Sequence, residues 1–405
     1  MLKELKEPGA WLITLAAAGV LMITMGARQT IGLFVGPINT STGMGIATIS
    51  FALAIAQLTW GAVQPLAGAA ADRWGPFAVL VAGTVVMAFG TALTPLVSSG
   101  IGLTFTQGLL VAVGAGAGSF SVLIGAAALR MSPEARGTAS GVINAGGSVG
   151  QLVFAPLAQK LIQWLGWMGA MYTLAVIWLA ALPLAGKVAG GGKISKPVVE
   201  LSPVSLRQTV KDALHDRDYL LLNLGFFTCG FHIAFLTTHL PTEIGLCGLP
   251  PTVASTSLAL IGGANIFGSI WVGHLVGRYR SKMILALMYT SRAVLIGWYL
   301  MMPHTTAVFY VFAIGLGLTW LATVPPTACI VGKLFNVRFL GTLFGLTLFT
   351  HQIGGFLGAW LGGLALDAFN SYDPMWWADI ALALLAAAIN LPIREARVRR
   401  QLARA

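Results

Sequence analysis

Charged residues are scarce in this sequence. They make up 9% of its 405 residues, and only 13 residues are acidic. Soluble globular domains carry about 25% charged residues, so this scarcity excludes an ordinary soluble domain. Hydrophobic residues reach 57%, and the mean hydropathy is +0.82. The composition therefore indicates a protein whose surface faces lipid.

Cysteine is scarce as well. Cys229, Cys247 and Cys329 show no paired spacing, which predicts neither a disulfide framework nor a metal site. No nucleotide-binding motif or nucleophile pattern is present, so the sequence predicts no enzyme activity and no cofactor. The period-two alternation of membrane barrel strands is missing too. The apolar runs are therefore interpreted as helices, and the three cysteines are expected to pack between them.

Long apolar runs fill the chain, and a bilayer core needs roughly 20 apolar residues for each crossing helix. Six runs occur in the first part, at 11–38, 45–71, 76–98, 100–129, 137–162 and 166–186. Six more lie at 218–245, 252–276, 282–302, 305–333, 341–367 and 375–393. The sequence predicts an all-α membrane protein of twelve helices, with one six-helix half at 1–186, a linker at 187–217 and a second half with a basic tail at 218–405.

Lysine and arginine fall on alternate loops. They occupy the linker, the tail and every second short loop, whereas the loops NTSTGMG, VSSG and MPHTT hold none. Positive loops mark the cytoplasmic side, so both termini and the linker are expected in the cytoplasm. This bias, together with anionic lipid, accounts for the net charge of +11. No nucleic-acid partner is expected, because the basic residues are spread over many loops.

The two halves contain an internal repeat. GARQTIGLFVGP from Gly26 aligns with GFHIAFLTTHLP from Gly230, which places Arg28 opposite His232. At the same offset, GTASGVINAGGSVG aligns with GTLFGLTLFTHQIGG and matches Gly150 with Gly354. Repeats of this kind are typical of secondary transporters.

A loop motif follows the second apolar run. Its residues are Gly68, Asp72, Arg73 and Gly75, and a decayed copy with Gly273 and Arg278 follows the eighth run. The motif resembles the loop signature of the major facilitator superfamily. That resemblance implies two pseudo-symmetric six-helix halves that rock around a midplane site, with spans one, four, seven and ten lining the cavity. The motif itself is expected to act in gating, because Asp72 can pair with an arginine or a helix N-terminus.

Within that family the chain resembles the bacterial monocarboxylate transporter and oxalate/formate exchanger branch, through GFHIAFLTTHLP, TVPPT and FTHQIGGFLGAWLGG. The resemblance implies a small organic anion as cargo, a bacterial inner membrane location and a monomer. One departure is that the branch usually carries its substrate arginine in span eight, where this chain has Asn265 and Ser269. The anion is therefore expected at Arg28 or Arg292.

Arg28 and Arg292 stand in the middle of apolar runs. A charge there costs roughly 2.5 to 3.5 kcal/mol even on insertion scales, so it needs a partner, water or a function. The acidic residues of the spans, Glu243, Asp367, Asp373 and Asp379, all lie near the outer ends of their spans. We therefore expect no carboxylate at mid-span. The substrate anion is thus the expected counter-ion. Either arginine could instead bond backbone carbonyl groups.

Other polar residues inside the spans could contact substrate or a neighbouring helix, and both roles stay open. They are Gln57, Trp60, Gln64, Asn144, Gln151, Asn265, Trp320, Thr323, His351 and Gln352. With no carboxylate expected at mid-span, His232 is the preferred proton carrier. His239 and His351 are the alternatives.

These residues predict a secondary transporter that carries a small organic anion with protons. An anion exchanger is an alternative, and so is a proton-driven drug or metabolite exporter. The exporter branch would place an arginine where this chain has Thr104 and a Gly-Pro pair where it has Phe154 to Pro156.

Overall fold

The computed structural model describes residues 10–128, 133–189, 206–276, 278–335 and 340–395. The first half contains α1 (Ala10–Gln29), α2 (Gly32–Thr42), α3 (Ile46–Trp74), α4 (Pro76–Leu93), α5 (Gly100–Leu103), α6 (Ala112–Ala117), α7 (Phe120–Ala128), α8 (Pro133–Trp178) and α9 (Ala181–Ala189). A 3₁₀ turn at Thr94–Leu96 follows α4, and a π-helical segment at Thr104–Val111 joins α5 to α6.

A short amphipathic helix, α10 (Leu206–His215), precedes the second half. The second half itself contains α11 (Arg217–Leu246), α12 (Pro251–Val276), α13 (Ser281–Met301), α14 (Thr306–Thr319), α15 (Val324–Phe335), α16 (Leu340–Phe369) and α17 (Asp373–Asn390). The predicted linker at 187–217 thus includes the end of α9 and all of α10. Asp216 caps α11 by accepting hydrogen bonds from the backbone N–H groups of Asp218 and Tyr219, at 2.9 and 3.1 Å.

The predicted all-helical fold with twelve crossings is confirmed. Among the described residues, nine stretches are long and apolar enough to cross a membrane by length and composition. One of them, Gly141–Ala189, has 49 residues and bends at Gly166, so it supplies both the fifth and sixth crossings. The helices α16 and α17 are the eleventh and twelfth. Helices suit lipid because each satisfies its own backbone hydrogen bonds.

Four of the predicted spans are broken rather than continuous. The first span divides into α1 and α2 at Thr30 and Ile31, and the tenth divides into α14 and α15 at 320–323. Shorter interruptions separate α6 from α7 at 118–119 in the fourth span and α8 from α9 at 179–180 in the sixth. In the tenth span, Pro325 and Pro326 lie in the first turn of α15, and neither can donate a backbone hydrogen bond to the preceding turn. The break leaves polar backbone groups inside the bundle, which other side chains must satisfy.

The internal repeat is visible in the packing of the halves. In the first half, a Cβ at Gly150 of α8 would overlap the carbonyl oxygen of Met22 in α1. In the second half, a Cβ at Gly354 of α16 would overlap the carbonyl oxygen of Phe227 in α11. Each half therefore uses an equivalent glycine to bring two helix backbones into close contact.

The interface between the halves is formed by α3 against α16, by α8 against α12 and by α2 against α11. We call the end of the bundle at which α1 begins and α17 stops the terminal end, and the opposite end the far end. Toward the far end packing is tight, since a Cβ at Gly363 would lie 2.5 Å from the Ser50 hydroxyl. Toward the terminal end, no described atom lies within 4 Å of a Cβ built at Gly68 or Gly345. The described contact between α3 and α16 is therefore close at the far end, whereas open space lies beside both glycines toward the terminal end.

Candidate functional site

Arg28 lies near the middle of the bundle, on the last turn of α1 before the break in the first span. Its Nη2 donates to the side-chain oxygen of Gln57 on α3 and to that of Gln352 on α16, the latter at 3.0 Å. The guanidinium carbon also lies 4.1 Å from the ring centroid of Trp60, a geometry that favours a cation–π interaction. Because Gln352 belongs to the second half, Arg28 connects the two halves.

The charge of Arg28 is not neutralised by any residue that the structure describes. In the part of the chain that the structure describes, no carboxylate pairs with Arg28, and its Nη1 and Nε atoms have no hydrogen-bond partner. The amide oxygens and the aromatic ring hold the side chain in place but carry no formal charge. The arrangement leaves one oriented cation with donors available to an anion.

His232 lies on α11 and is paired with an aspartate. Its Nδ1 contacts Oδ2 of Asp379 on α17, and both side chains are 2% exposed. The expectation of no carboxylate at mid-span is therefore wrong. Asp379 is near the start of α17 in sequence, but α17 packs against α11 so that its second turn meets the middle of α11.

The other ring nitrogen of His232 is unpaired. Its Nε2 atom is buried and has no hydrogen-bond partner among the described residues. A buried nitrogen without a partner is costly. In the neutral ring, Nδ1–H donates to the carboxylate and Nε2 offers a lone pair, so Nε2 is an atom at which a proton could bind.

Arg292 on α13 satisfies the break in the tenth span. Its Nη2 donates to the carbonyl oxygens of Thr319 and Trp320, at 2.5 and 2.8 Å, and its Nη1 contacts the sulfur of Cys229 at 3.3 Å. A cation suits these carbonyls because the C-terminus of a helix carries partial negative charge. Of the two roles left open for Arg292, this geometry favours the structural one.

We expect substitution of Arg292 to destabilise the fold. Arg292→Leu would leave the carbonyl groups of Thr319 and Trp320 without this partner. A buried group left unpaired costs about 1 to 3 kcal/mol, so the purified protein should melt at a lower temperature. Arg207→Leu on the exposed face of α10 is the control and should melt like the parent. An unchanged melting temperature for Arg292→Leu, combined with lost anion binding, would instead make Arg292 a substrate ligand.

Asn265 on α12 is also used at the break and between the halves. Its Oδ1 accepts the backbone N–H of Leu321 at 3.0 Å, and its Nδ2 donates to the hydroxyl of Ser148 on α8 at 2.8 Å. Asn144, one turn before Ser148, is half-buried. The structure does not bring either asparagine into contact with Arg28, so helix-to-helix bonding is the role favoured for Asn265.

The remaining histidines differ in their surroundings. Both ring nitrogens of His239 are engaged, one by the Tyr372 hydroxyl at 3.0 Å and the other by the carbonyl oxygen of Ala359 at 2.7 Å, which favours a packing role. His351 on α16 contacts the amide nitrogen of Gln352 at 3.0 Å. It therefore lies beside the Arg28 site, through the same glutamine that Arg28 binds.

The site thus contains residues that the sequence singled out and others that it did not distinguish from the remaining polar candidates. Arg28, Gln57 and His351 come together, whereas His232 pairs elsewhere with Asp379. Gln352 and Trp60 were only two of many polar candidates in the sequence, although both contact Arg28. The sequence marks these two residues only by their position inside apolar runs, and the other polar candidates have the same kind of position.

The loop motif is only partly described. Gly75 ends α3 with a φ of +86°, which L-amino acids with side chains rarely adopt. The side chains of Asp72 and Arg73 lie outside the described set. Arg278 is exposed, and its backbone N–H donates to the carbonyl oxygen of Leu275. A gating role for Gly68, Asp72, Arg73, Gly75, Gly273 and Arg278 stays a prediction.

Comparison with known proteins places the chain in a family. The family model described as Major Facilitator Superfamily matches residues 17–359. An uncharacterized MFS-type transporter of Bacillus subtilis (strain 168) is 24% identical over 386 residues, covering 90% of each chain. Monocarboxylate transporter 13 of Rattus norvegicus is 24% identical, covering 95% of this chain and 88% of its own length. The oxalate:formate antiporter of Oxalobacter formigenes is 23% identical, covering 86% and 84%.

Solved structures share the fold. A D-xylose-proton symporter superposes with a TM-score of 0.75 over 95% of this chain and 97% of its own, at 14% identity. A bacterial homolog of the human lysosomal transporter Spinster gives a TM-score of 0.69 over 95% of each chain, at 15% identity. The twelve crossings, the repeated halves and the family match over most of the length agree. The chain is a member of the major facilitator superfamily of membrane transporters.

Proposed function

We propose that this transporter carries a small organic anion of the monocarboxylate type across the membrane by alternating access, together with a proton. The observation that carries the proposal is Arg28: a cation between the two halves, held by Gln57, Gln352 and Trp60, with no carboxylate partner among the described residues. A site between rocking halves is where an alternating-access transporter binds its cargo.

The charges near the middle of the bundle support an anion. Asp379 pairs with His232 and lies within electrostatic range of Arg292. Among the described residues, Arg28 is therefore the mid-span arginine whose charge has no compensating carboxylate. A bound carboxylate would neutralise it and take the donors on Nη1 and Nε, and such charge-assisted bonds are stronger than bonds to neutral groups.

The names of the relatives fit this substrate class. One is a monocarboxylate transporter and another is an oxalate:formate antiporter. The second leaves exchange of one anion for another as the rival mechanism. The pair formed by His232 and Asp379 favours proton coupling, because a buried acid beside an unpartnered imidazole nitrogen can take up and release a proton.

Uptake into proteoliposomes tests the proposal. Labelled monocarboxylates should enter vesicles that contain the protein and should accumulate when the outside is more acidic. Neutral sugars and organic cations of similar size serve as controls and should not enter. Uptake that needs an anion preloaded inside, and ignores the pH gradient, would identify an exchanger. Transport of the cations alone would contradict the anion proposal and favour an exporter of other compounds.

We further propose that the protein is a monomer in a bacterial inner membrane with both termini in the cytoplasm. The positive loops support this orientation. Ser99 is exposed in the loop before α5, at the far end, whereas Ser195 belongs to the linker and lies outside the described residues.

A cysteine placed at Ser99 should react with an impermeant thiol reagent in intact cells, and a cysteine at Ser195 should react only after the cells are opened. The background should carry serine at Cys229, Cys247 and Cys329, since Cys247 is partly exposed. The background protein itself is the control for labelling. The reverse pattern would show that the termini are outside.

A further inference from the structure

Three potential metal ligands meet at the far end of the second half, away from Arg28. Glu243, Cys247 and His304 each offer one ligand atom, and these atoms all lie within 4.8 Å of one another. The sulfur of Cys247 and Nδ1 of His304 are 3.3 Å apart. We propose that this cluster binds a divalent transition metal of the zinc class.

Local structure brings the three ligands together. Glu243 and Cys247 are four residues apart at the end of α11 and so share one face of the helix. The backbone N–H of Cys247 donates to the carbonyl oxygen of Glu243 at 3.1 Å, and Gly248 then turns the chain with a φ of +73°. His304 lies in the short connection between α13 and α14, next to Thr305, which caps α14.

Tyr299 orients two of the ligands from behind. Its hydroxyl donates to Oε1 of Glu243 at 3.0 Å, and its ring stacks on that of His304 with centroids 4.8 Å apart and an interplanar angle of 2°. Partners that fix the direction of a ligand are typical of metal sites. In this arrangement the other carboxylate oxygen of Glu243 can take the metal.

The distances and ligand types suit zinc. Zinc binds Cys, His and Glu at roughly 2.0 to 2.3 Å in a tetrahedron, which separates the ligand atoms by roughly 3.3 to 3.8 Å. The 3.3 Å between Cys247 and His304 already matches, and the third ligand needs only a small side-chain movement. On binding, the thiol of Cys247 loses its proton to solvent and the thiolate joins the metal, which leaves a fourth position for water.

Exposure allows access. Cys247 and His304 are half-buried, and Glu243 is 7% exposed, so the cluster lies at the surface with its acidic member inside. Asp373, exposed at the start of α17, adds a negative charge within electrostatic range of Glu243. This local charge attracts cations in a protein whose net charge is otherwise positive.

Cobalt titration of the full chain in detergent tests the proposal. Cobalt(II) replaces zinc in such sites and reports thiolate ligation by a near-ultraviolet sulfur-to-cobalt absorption. The parent should bind one cobalt with this absorption, and zinc should abolish it. Cys247→Ser should lose the absorption and His304→Ala should bind cobalt at least tenfold more weakly, whereas Cys329→Ser, the matched control, should behave like the parent.

Melting temperature gives a second measurement that does not depend on spectra. A ligand that binds only the folded state stabilises it, so zinc should raise the melting temperature of the parent and of Cys329→Ser but not that of Glu243→Gln, which keeps the shape of the side chain. The absence of cobalt absorption in the parent would overturn the proposal. So would an absorption that survives in Cys247→Ser, because the thiolate would then come from elsewhere.

Discussion

Replacement of Arg28 by lysine should weaken anion binding by about 1.5 to 3 kcal/mol, which is roughly 10- to 150-fold in Kd. Lysine keeps the charge but loses the planar donors. Its side chain is also shorter, so its ammonium group reaches the oxygens of Gln57 and Gln352 less well. Arg28→Ala removes the charge as well and should bind more weakly still. Equilibrium binding of a labelled monocarboxylate to the purified protein measures both.

The matched control for this experiment is Arg217→Lys. Arg217 is exposed at the first residue of α11, so the same chemical change there should leave Kd unaltered. Melting temperatures separate lost binding from lost folding. If Arg28→Lys and Arg28→Ala both bound the anion as the parent does, Arg28 would not be the ligand, and Arg292 would be the remaining candidate.

Arg28 could be identified from sequence because of its charge, but its surroundings could not. A single arginine in a run of apolar residues is a functional candidate by default, although Arg292 shows that such a residue can instead satisfy backbone carbonyl groups. Its partner Gln352 is 324 residues away in sequence, and the sequence does not indicate that these two side chains meet. The sequence of one span therefore predicts where a charge lies, whereas the contacts of that charge depend on how the two halves pack.

Asp379 shows a different limit of sequence analysis. The residue lies near the start of the last span, as the sequence indicates, but the prediction that its carboxylate lies away from mid-span is wrong. The axial offset between α11 and α17 brings it to His232. Helix boundaries come from local hydropathy, while offsets between helices are set by side-chain packing over their whole length.

The break in the tenth span has a local signal in the sequence. TVPPT places two prolines where an uninterrupted helix would need donors, and α15 begins at this stretch. What the sequence did not show is that Arg292 and Asn265 satisfy the exposed backbone groups. The cluster of Cys247 and His304 was equally hidden, since 57 residues separate them.

Removing the carboxylate of Asp379 should uncouple transport from protons. In the proposed cycle, Nε2 of His232 accepts a proton while Asp379 stabilises the imidazolium, and an anion at Arg28 travels with it. One proton with one monovalent anion is electroneutral, so each unit of pH difference supplies about 1.4 kcal/mol, or about tenfold accumulation. The parent should approach that ratio in proteoliposomes that are more acidic outside.

Asp379→Asn and His232→Gln should both let the anion equilibrate without accumulating, because the amide cannot stabilise the imidazolium and glutamine cannot titrate. Exchange of labelled for unlabelled anion should persist in both, since Arg28 is untouched. Asp373→Asn is the control on the same helix: its carboxylate is exposed, so accumulation should match the parent. Accumulation by Asp379→Asn and His232→Gln at the parental ratio would exclude this pair as the proton site and leave His351, beside Gln352, as the group to test.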